Sequence, residues 1–243
     1  MMTRTSTGST GLDEMLEGGF PENRIILVRG GPGSGKTIFS LQFIVEGARK
    51  GERGVYVTFE EPLNLIRANV ASFGWEMENF EAKGVLKLID ESQLAYKPPS
   101  STKYGGDNPI PAMKQIANQI RQITQDFKAK RLAMDPITSA IIHQRYPTDK
   151  RLEILELVRI LRGMQCTSII TSEFSSPSGE GDFYVEEYLA DGVIVLSKAL
   201  RDFNVTKTIR IEKMRGVRHD DQPRKYEIMD TGFVVYHTEP VTV

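Results

Sequence analysis

The sequence predicts an α/β protein with a mostly parallel, doubly wound sheet and additional antiparallel strands at its C-terminal side. Three observations carry the prediction. Apolar, β-branched runs alternate with segments of helical spacing as far as about residue 190. A glycine-rich segment joins the first long strand to the first long helix. Beyond residue 190, four strand-like runs follow one another across short polar turns, as hairpins do.

Taken in order, "RIILVRG" (24–30) reads as a strand that leads into helical spacing over 35–50. "RGVYVTFEE" (53–61) is a second strand, followed by a helix over 63–74, and "VLKLIDE" (85–91) is a third strand. Over 111–130, Met113, Ile116, Ile120, Ile123 and Phe127 recur at steps of three and four, which is one apolar helix face. "KRLAMDPI" (130–137) is a fourth strand, 149–164 another helix, and "TSIITSEF" (167–174) a fifth strand. The closing runs are "DGVIVLSKAL", "VTKTIRIEKM", "RKYEIMD" and "GFVVYH". Loops are expected at 96–109, 141–151 and 175–182, the first and last dense in Pro, Gly and Ser. Strands resume in register after the first of these, so residues 1–243 are read as one domain with an excursion.

Composition narrows the class. The chain has 243 residues, 40% of them hydrophobic, and 31 basic residues against 32 acidic ones. That balance gives no charge footprint for bulk binding to nucleic acid or membrane. Cys166 lies in an apolar run and reads as a small buried hydrophobe, not as a nucleophile. The opening "MMTRTSTGST" has no apolar stretch, and no run approaches the roughly 18 residues of a membrane span, so a cytoplasmic protein is expected.

"GGPGSGKT" (30–37) fits Gly-x-x-x-x-Gly-Lys-Thr and lies between strand and helix, as a P-loop requires. The glycines let backbone N–H groups turn toward phosphate oxygens, so Gly31, Pro32, Gly33, Ser34 and Gly35 form the cradle. Lys36 is placed to reach the β- and γ-phosphates, Thr37 to ligate Mg²⁺, and Ile38 continues the helix. The second metal-orienting carboxylate is Asp135, at the end of the fourth strand. Glu60 and Glu61 follow the second strand at the same sheet edge and are the candidates to orient water, with the choice between them open. "TSE" (171–173) stands beside the nucleotide either to sense γ-phosphate or to cap the following loop. Near the end, "IRIEKMRGVRH" (209–219) sets Lys213 and Arg215 on one strand face, a cationic comb for some anion.

"GSTGLDEMLEGGFPENRIILVRGGPGSGKT", "VTFEE", "MDPIT", "ITSE" and "EKMRGVRH" occur in the order and spacing of KaiC-like ATPases of the RecA superfamily, and the resemblance spans essentially the whole chain. It implies a RecA-like core that binds ATP with Mg²⁺ between the subunits of a ring, typically a hexamer. By the same resemblance Lys213 and Arg215 approach the γ-phosphate of the neighbour's ATP, His219 lies nearer the ribose, and Asp230 also borders the nucleotide. An arginine finger in trans is worth about 10³–10⁵ in rate. The clock protein's phosphorylated Ser-Thr pair is replaced here by Glu187-Tyr188, so autophosphorylation does not carry over.

Three functions remain in view. One is an oligomeric ATPase with a regulatory or signalling role and a protein partner. Another is a RecA-like recombinase paralogue that binds single-stranded DNA in repair, using Arg145, Tyr146, Lys150 and Arg151. The third is a non-hydrolysing nucleotide-dependent module, against which Glu60, Glu61, Asp135 and Arg215 argue together. Kinase activity toward another protein stays open.

Overall fold

Runs of apolar residues without alternation must be covered on both faces, and that requirement organises the chain. The computed structural model describes residues 3–94, 112–141, 147–173, 185–201 and 204–241. Its first part holds β1 (Arg4–Thr5), α1 (Thr10–Met15), β2 (Phe20–Pro21), β3 (Ile25–Gly30), α2 (Lys36–Arg49) and β4 (Gly54–Thr58). Then come α3 (Leu63–Val70), α4 (Met77–Ala82), β5 (Leu86–Asp90), α5 (Ala112–Asp126), β6 (Arg131–Asp135) and α6 (Ile137–Ile141). The rest is α7 (Pro147–Arg162), β7 (Thr167–Ser172), α8 (Val185–Leu189), β8 (Gly192–Arg201), β9 (Asn204–Met214), β10 (Arg224–Met229) and β11 (Gly232–Pro240).

Among the described residues nine strands form one sheet in the order β11-β10-β9-β8-β3-β7-β6-β4-β5. From β8 to β5 every neighbouring pair is parallel, and from β8 outward to β11 every pair is antiparallel. Successive residues of β3 serve opposite cores. Ile26 and Val28 pack with Leu41 and Ile44 of α2, whereas Ile25 and Leu27 pack with Ile116 and Ile120 of α5 and Leu157 of α7. The apolar face expected over 111–130 is there, with Met113, Ile116 and Ile120 buried and Ile123 and Phe127 partly so.

Differences from the sequence reading are local. The helices α1, α4, α6 and α8 and the small β1–β2 pair occupy stretches to which the sequence pattern assigns no helix or strand of their own. Helices of five or six residues are too short to establish a period. The helix expected over 63–74 is α3 followed by a 3₁₀ turn at Ala71–Phe73, closed by Gly74 at φ 64°. The helix expected over 149–164 begins two residues earlier, within the segment 141–151 expected as loop, and a proline suits that first position. The segments 96–109 and 175–182, with Arg145 and Tyr146, lie outside the described residues.

The antiparallel wing sets the two ends of the sheet apart. Gly30 pairs with Leu196 of β8, and Met214 pairs with Gly192 of the same strand. Four strand steps, about 13 Å, therefore separate the carboxyl edge of the parallel strands from the end of β9.

Candidate functional site

β3 is flanked by β7 and β8, so the loop after Gly30 leaves the middle of the sheet at its carboxyl edge. Gly33 and Gly35 sit at φ 67° and 90°, where a side chain is strained. A Cβ on Gly35 would stand 2.8 Å from Cδ1 of Ile228, whereas one on Gly31 would meet nothing within 4 Å. The loop is thus packed from behind and open in front. Lys36 begins α2, is largely buried, and donates to the carbonyls of Gly30 (2.8 Å) and Gly31 (3.3 Å). Oε1 of Glu173 lies 3.6 Å from the same ammonium.

Asp135 gathers hydroxyls from three elements. Its Oδ2 accepts from Thr37 at 2.6 Å and from the Tyr56 phenol at 2.7 Å, and its Oδ1 accepts from Thr171. Burial, then the Asp135 charge, pushes the Tyr56 phenol well above its ordinary range, so it remains a donor. Of the "TSE" residues, Thr171 holds Asp135 and Glu173 faces Lys36.

The corner after β4 is fixed by Thr58. Its hydroxyl donates to the Glu61 carbonyl at 3.0 Å and accepts from the Glu61 N–H at 3.1 Å. The two carboxylates then part. Glu61 lines a cleft of about 440 Å³ with Lys36 and Thr37 and accepts from Asn69 at 3.2 Å. Glu60 is turned to Ser139 of α6, whose hydroxyl donates to it. Ile38, Ile66 and Ile228 give the cleft an apolar wall.

These residues suit a nucleoside triphosphate with Mg²⁺. The front of the loop is open where a Cβ would find nothing, and a hydroxyl and a carboxylate, both hard oxygen donors, meet beside Lys36. Among the described residues no three His, Cys, Asp or Glu are gathered for a metal. A divalent cation at Thr37 and Asp135 would accordingly complete its shell with phosphate oxygens and water, as Mg²⁺ commonly does.

The comb lies at the other edge. One extra residue on β9, opposite the step from Val193 to Ile194, moves the buried positions from Ile209 and Ile211 to Met214. Lys213 and Arg215 consequently project toward α8. Lys213 donates to the carbonyls of Glu187 (2.9 Å) and Ala190 (2.7 Å), and Arg215 to that of Tyr188 (3.1 Å). His219 is not brought to them. It lines a separate cleft against α1 with Glu14, Asp220 and His237. Asp230 is exposed in the β10–β11 turn, on the P-loop side of the sheet, two residues past Ile228.

A family model described as ATPase: KaiC matches residues 5–240. The chain belongs to the KaiC family of ATPases. The UPF0273 protein PH0284 of Pyrococcus horikoshii is 36% identical over 237 residues, covering 97% of this chain and 95% of that protein. The circadian clock protein KaiC3 of Synechocystis is 33% identical over 237 residues, 96% of this chain but 45% of that protein. The solved structure of the KaiC-like protein PH0186 from Pyrococcus horikoshii superposes with a TM-score of 0.82 at 34% identity, over 97% of this chain and all of that one. The mixed sheet is thus the RecA-type architecture of KaiC-like domains, and no helix among the described residues is long and apolar enough to cross a membrane.

Within this KaiC-family domain, several supporting residues carried no sequence signal. The Tyr226 phenol donates to the Ser34 carbonyl inside the P-loop at 2.6 Å. Lys198 of β8 donates to the Pro32 carbonyl at 2.7 Å. Gln42 ties α2 to the hairpin, accepting from Phe233 N–H at 2.6 Å and donating to its carbonyl at 3.0 Å.

Proposed function

We propose that this chain is a Mg²⁺-dependent ATPase of one domain that works as a ring of copies, with ATP held between neighbours and turnover serving a regulatory interaction. The observation that carries the reading is the distance along the sheet between Arg215 and the chain's own P-loop. About 13 Å of strand between them, with Arg215 directed at the carbonyl of Tyr188, separates the cation from its own P-loop and supports a role toward another molecule's phosphate. The clock function named for KaiC3 is what suggests regulation.

On this reading the residues divide the work. The loop 31–35 and Lys36 bind the phosphates, and Thr37 and Asp135 orient Mg²⁺, which when bound draws charge from the β- and γ-oxygens. Glu61, which faces the cleft, positions the attacking water, and Glu60 supports that corner through Ser139. Asp230 borders the nucleotide from the same copy. The neighbour's Lys213 and Arg215 neutralise charge that develops on the transferred group, and its His219 approaches the sugar. Water is excluded when the neighbour closes over the cleft.

The test is a mixture of Arg215→Ala chains with Glu60→Ala/Glu61→Ala chains. Turnover above that of either parent is expected, because some interfaces then carry both intact halves. No gain, with subunit exchange demonstrated, would contradict the reading.

A further inference from the structure

The cationic comb is larger than Lys213 of β9 and Arg215 just past the end of that strand. Asp191, just ahead of β8, is fixed by the backbone on both sides. Its N–H donates to Ile25 O at 2.8 Å, its Oδ2 accepts from Ile25 N–H at 3.2 Å, and its carbonyl accepts from Arg215 N–H at 2.9 Å. Its remaining oxygen, Oδ1, lies 3.7 Å from Nη1 of Arg215 and 3.7 Å from Nη2 of Arg162, the last residue of α7. The same Arg162 nitrogen donates to Leu189 O at 2.6 Å. Two guanidinium groups from different elements therefore share one carboxylate oxygen, and Lys213 joins them on the final carbonyls of α8.

Among the described residues, Arg162, Lys213 and Arg215 bring three positive charges to the one carboxylate of Asp191, while the nearby Glu187 carboxylate is paired with Arg29. The end of α8 adds only the partial charge of helix carbonyls. The excess is felt within the cluster: burial and then the Arg215 charge hold the Lys213 ammonium below its ordinary range, and Arg162 pushes the same way. Both guanidinium side chains are about half exposed, at 46% and 50%, so the excess faces outward. Planar forks with free surface and surplus charge are matched to phosphate oxygens. Leu152 and Leu155 are exposed on the same helix as Arg162, an apolar surface suited to a second copy.

We propose that Arg162 is a third phosphate-binding cation of this set, and that Asp191 is the internal counter-ion that holds Arg162 and Arg215 until the triphosphate of a second copy takes its place. The inference rests on the reading of Arg215 as a residue that acts on a neighbour's ATP. It adds a residue from α7 to that contact and gives a buried carboxylate a role in it. Cations that leave for phosphate also leave the last carbonyls of α8, so this short helix loses its caps when the neighbour is loaded.

The experiment compares Arg162→Gln, Arg162→Lys and Arg215→Gln in the full chain. Binding of a fluorescent ATP analogue with Mg²⁺ is measured at protein concentrations where sedimentation shows oligomer and again where it shows monomer. Loss of one charge-assisted hydrogen bond is expected to weaken binding about tenfold for Arg162→Gln. The loss is confined to the oligomer, and Arg162→Lys lies between the variant and the parent. Unchanged affinity in Arg162→Gln beside weakened affinity in Arg215→Gln overturns this inference and leaves the trans reading standing. If neither variant is weakened, the trans reading itself fails. A loss that persists in dilute monomer overturns the proposal as well, since it makes Arg162 a support of its own chain. Should Arg162→Gln not fold, Arg162→Lys decides by the same comparison.

Discussion

Tyr226→Phe removes one atom from the back of the P-loop and leaves the rest in place. The ring is stacked on Phe233 with centroids 4.4 Å apart at 15°, a contact that phenylalanine keeps. What is lost is the hydroxyl that donates to Ser34 O at 2.6 Å. Ser34 is 1% exposed and Tyr226 is fully buried, so water cannot take over the bond. A buried acceptor left without its donor costs about 1–3 kcal/mol. For a chain of this size each kcal/mol lowers Tm by about 2–4 °C, so 2 kcal/mol corresponds to a fall of about 4–8 °C. Because the bond ends inside the phosphate cradle, part of the loss falls on binding, and the Kd for ATP should rise by up to about tenfold. Differential scanning calorimetry and calorimetric titration with a slowly hydrolysed ATP analogue read both quantities. A variant that keeps the parent's Tm and Kd would refute the idea that this hydroxyl holds the loop.

Further outcomes follow from the same geometry. Glu61→Gln should lower kcat by about 10²–10⁴, the usual worth of a positioned general base, and more than Glu60→Gln does; equal losses in single-turnover assays would show that facing the cleft is not what matters. Arg131→Met should cost about 1–3 kcal/mol in urea unfolding, since the half-buried Ser6 carbonyl, 2.8 Å from its guanidinium, loses that donor and the Phe43 carbonyl, 2.9 Å away, is left with its helical bond alone. The partner Glu52 carboxylate is 40% exposed and can turn to water, so no buried charge is stranded. Lys213 gives a sign for pH. Its folded pKa lies below the unfolded one, so the unfolded chain binds the extra proton and stability rises with pH through the window between the two values; Lys213→Met should remove that rise in denaturant titrations. Single-stranded DNA should leave ATP turnover unchanged at low and moderate salt, and stimulation that fades with salt would favour the recombinase reading.

What could be read from the sequence was what short-range pattern encodes. The P-loop, the strand ending at Asp135 and the pair Glu60-Glu61 are each contiguous, and parallel strands in common register bring their ends to one edge. The contacts that sharpen the site are remote in sequence. Tyr226 and Ser34 are 192 residues apart, Gln42 and Phe233 are 191, and nothing in either local stretch announces the other. The parting of the Glu60 and Glu61 carboxylates depends on Ser139 and Asn69, which belong to different helices. Arg162 was invisible for a related reason, because it ends a helix whose sequence shows only amphipathic spacing. The alternation that put Lys213 and Arg215 on one face holds, but the extra residue on β9 is what turns that face toward α8, and register is a property of paired strands. The family resemblance sets His219 in the same strip but nearer the ribose than Lys213 and Arg215, and the turn at Gly216, with φ 77°, carries it away from them to the cleft against α1.

The claim on which the rest depends is that a working site is completed by a second copy of the chain. Steady-state ATP turnover per chain, measured with Mg²⁺ across a dilution series and beside the sedimentation mass, tests it most directly. Turnover should climb with concentration in step with assembly and fall away in the monomer. The same turnover per chain in monomer and oligomer would contradict it and would require every catalytic cation to come from the chain's own side of the sheet.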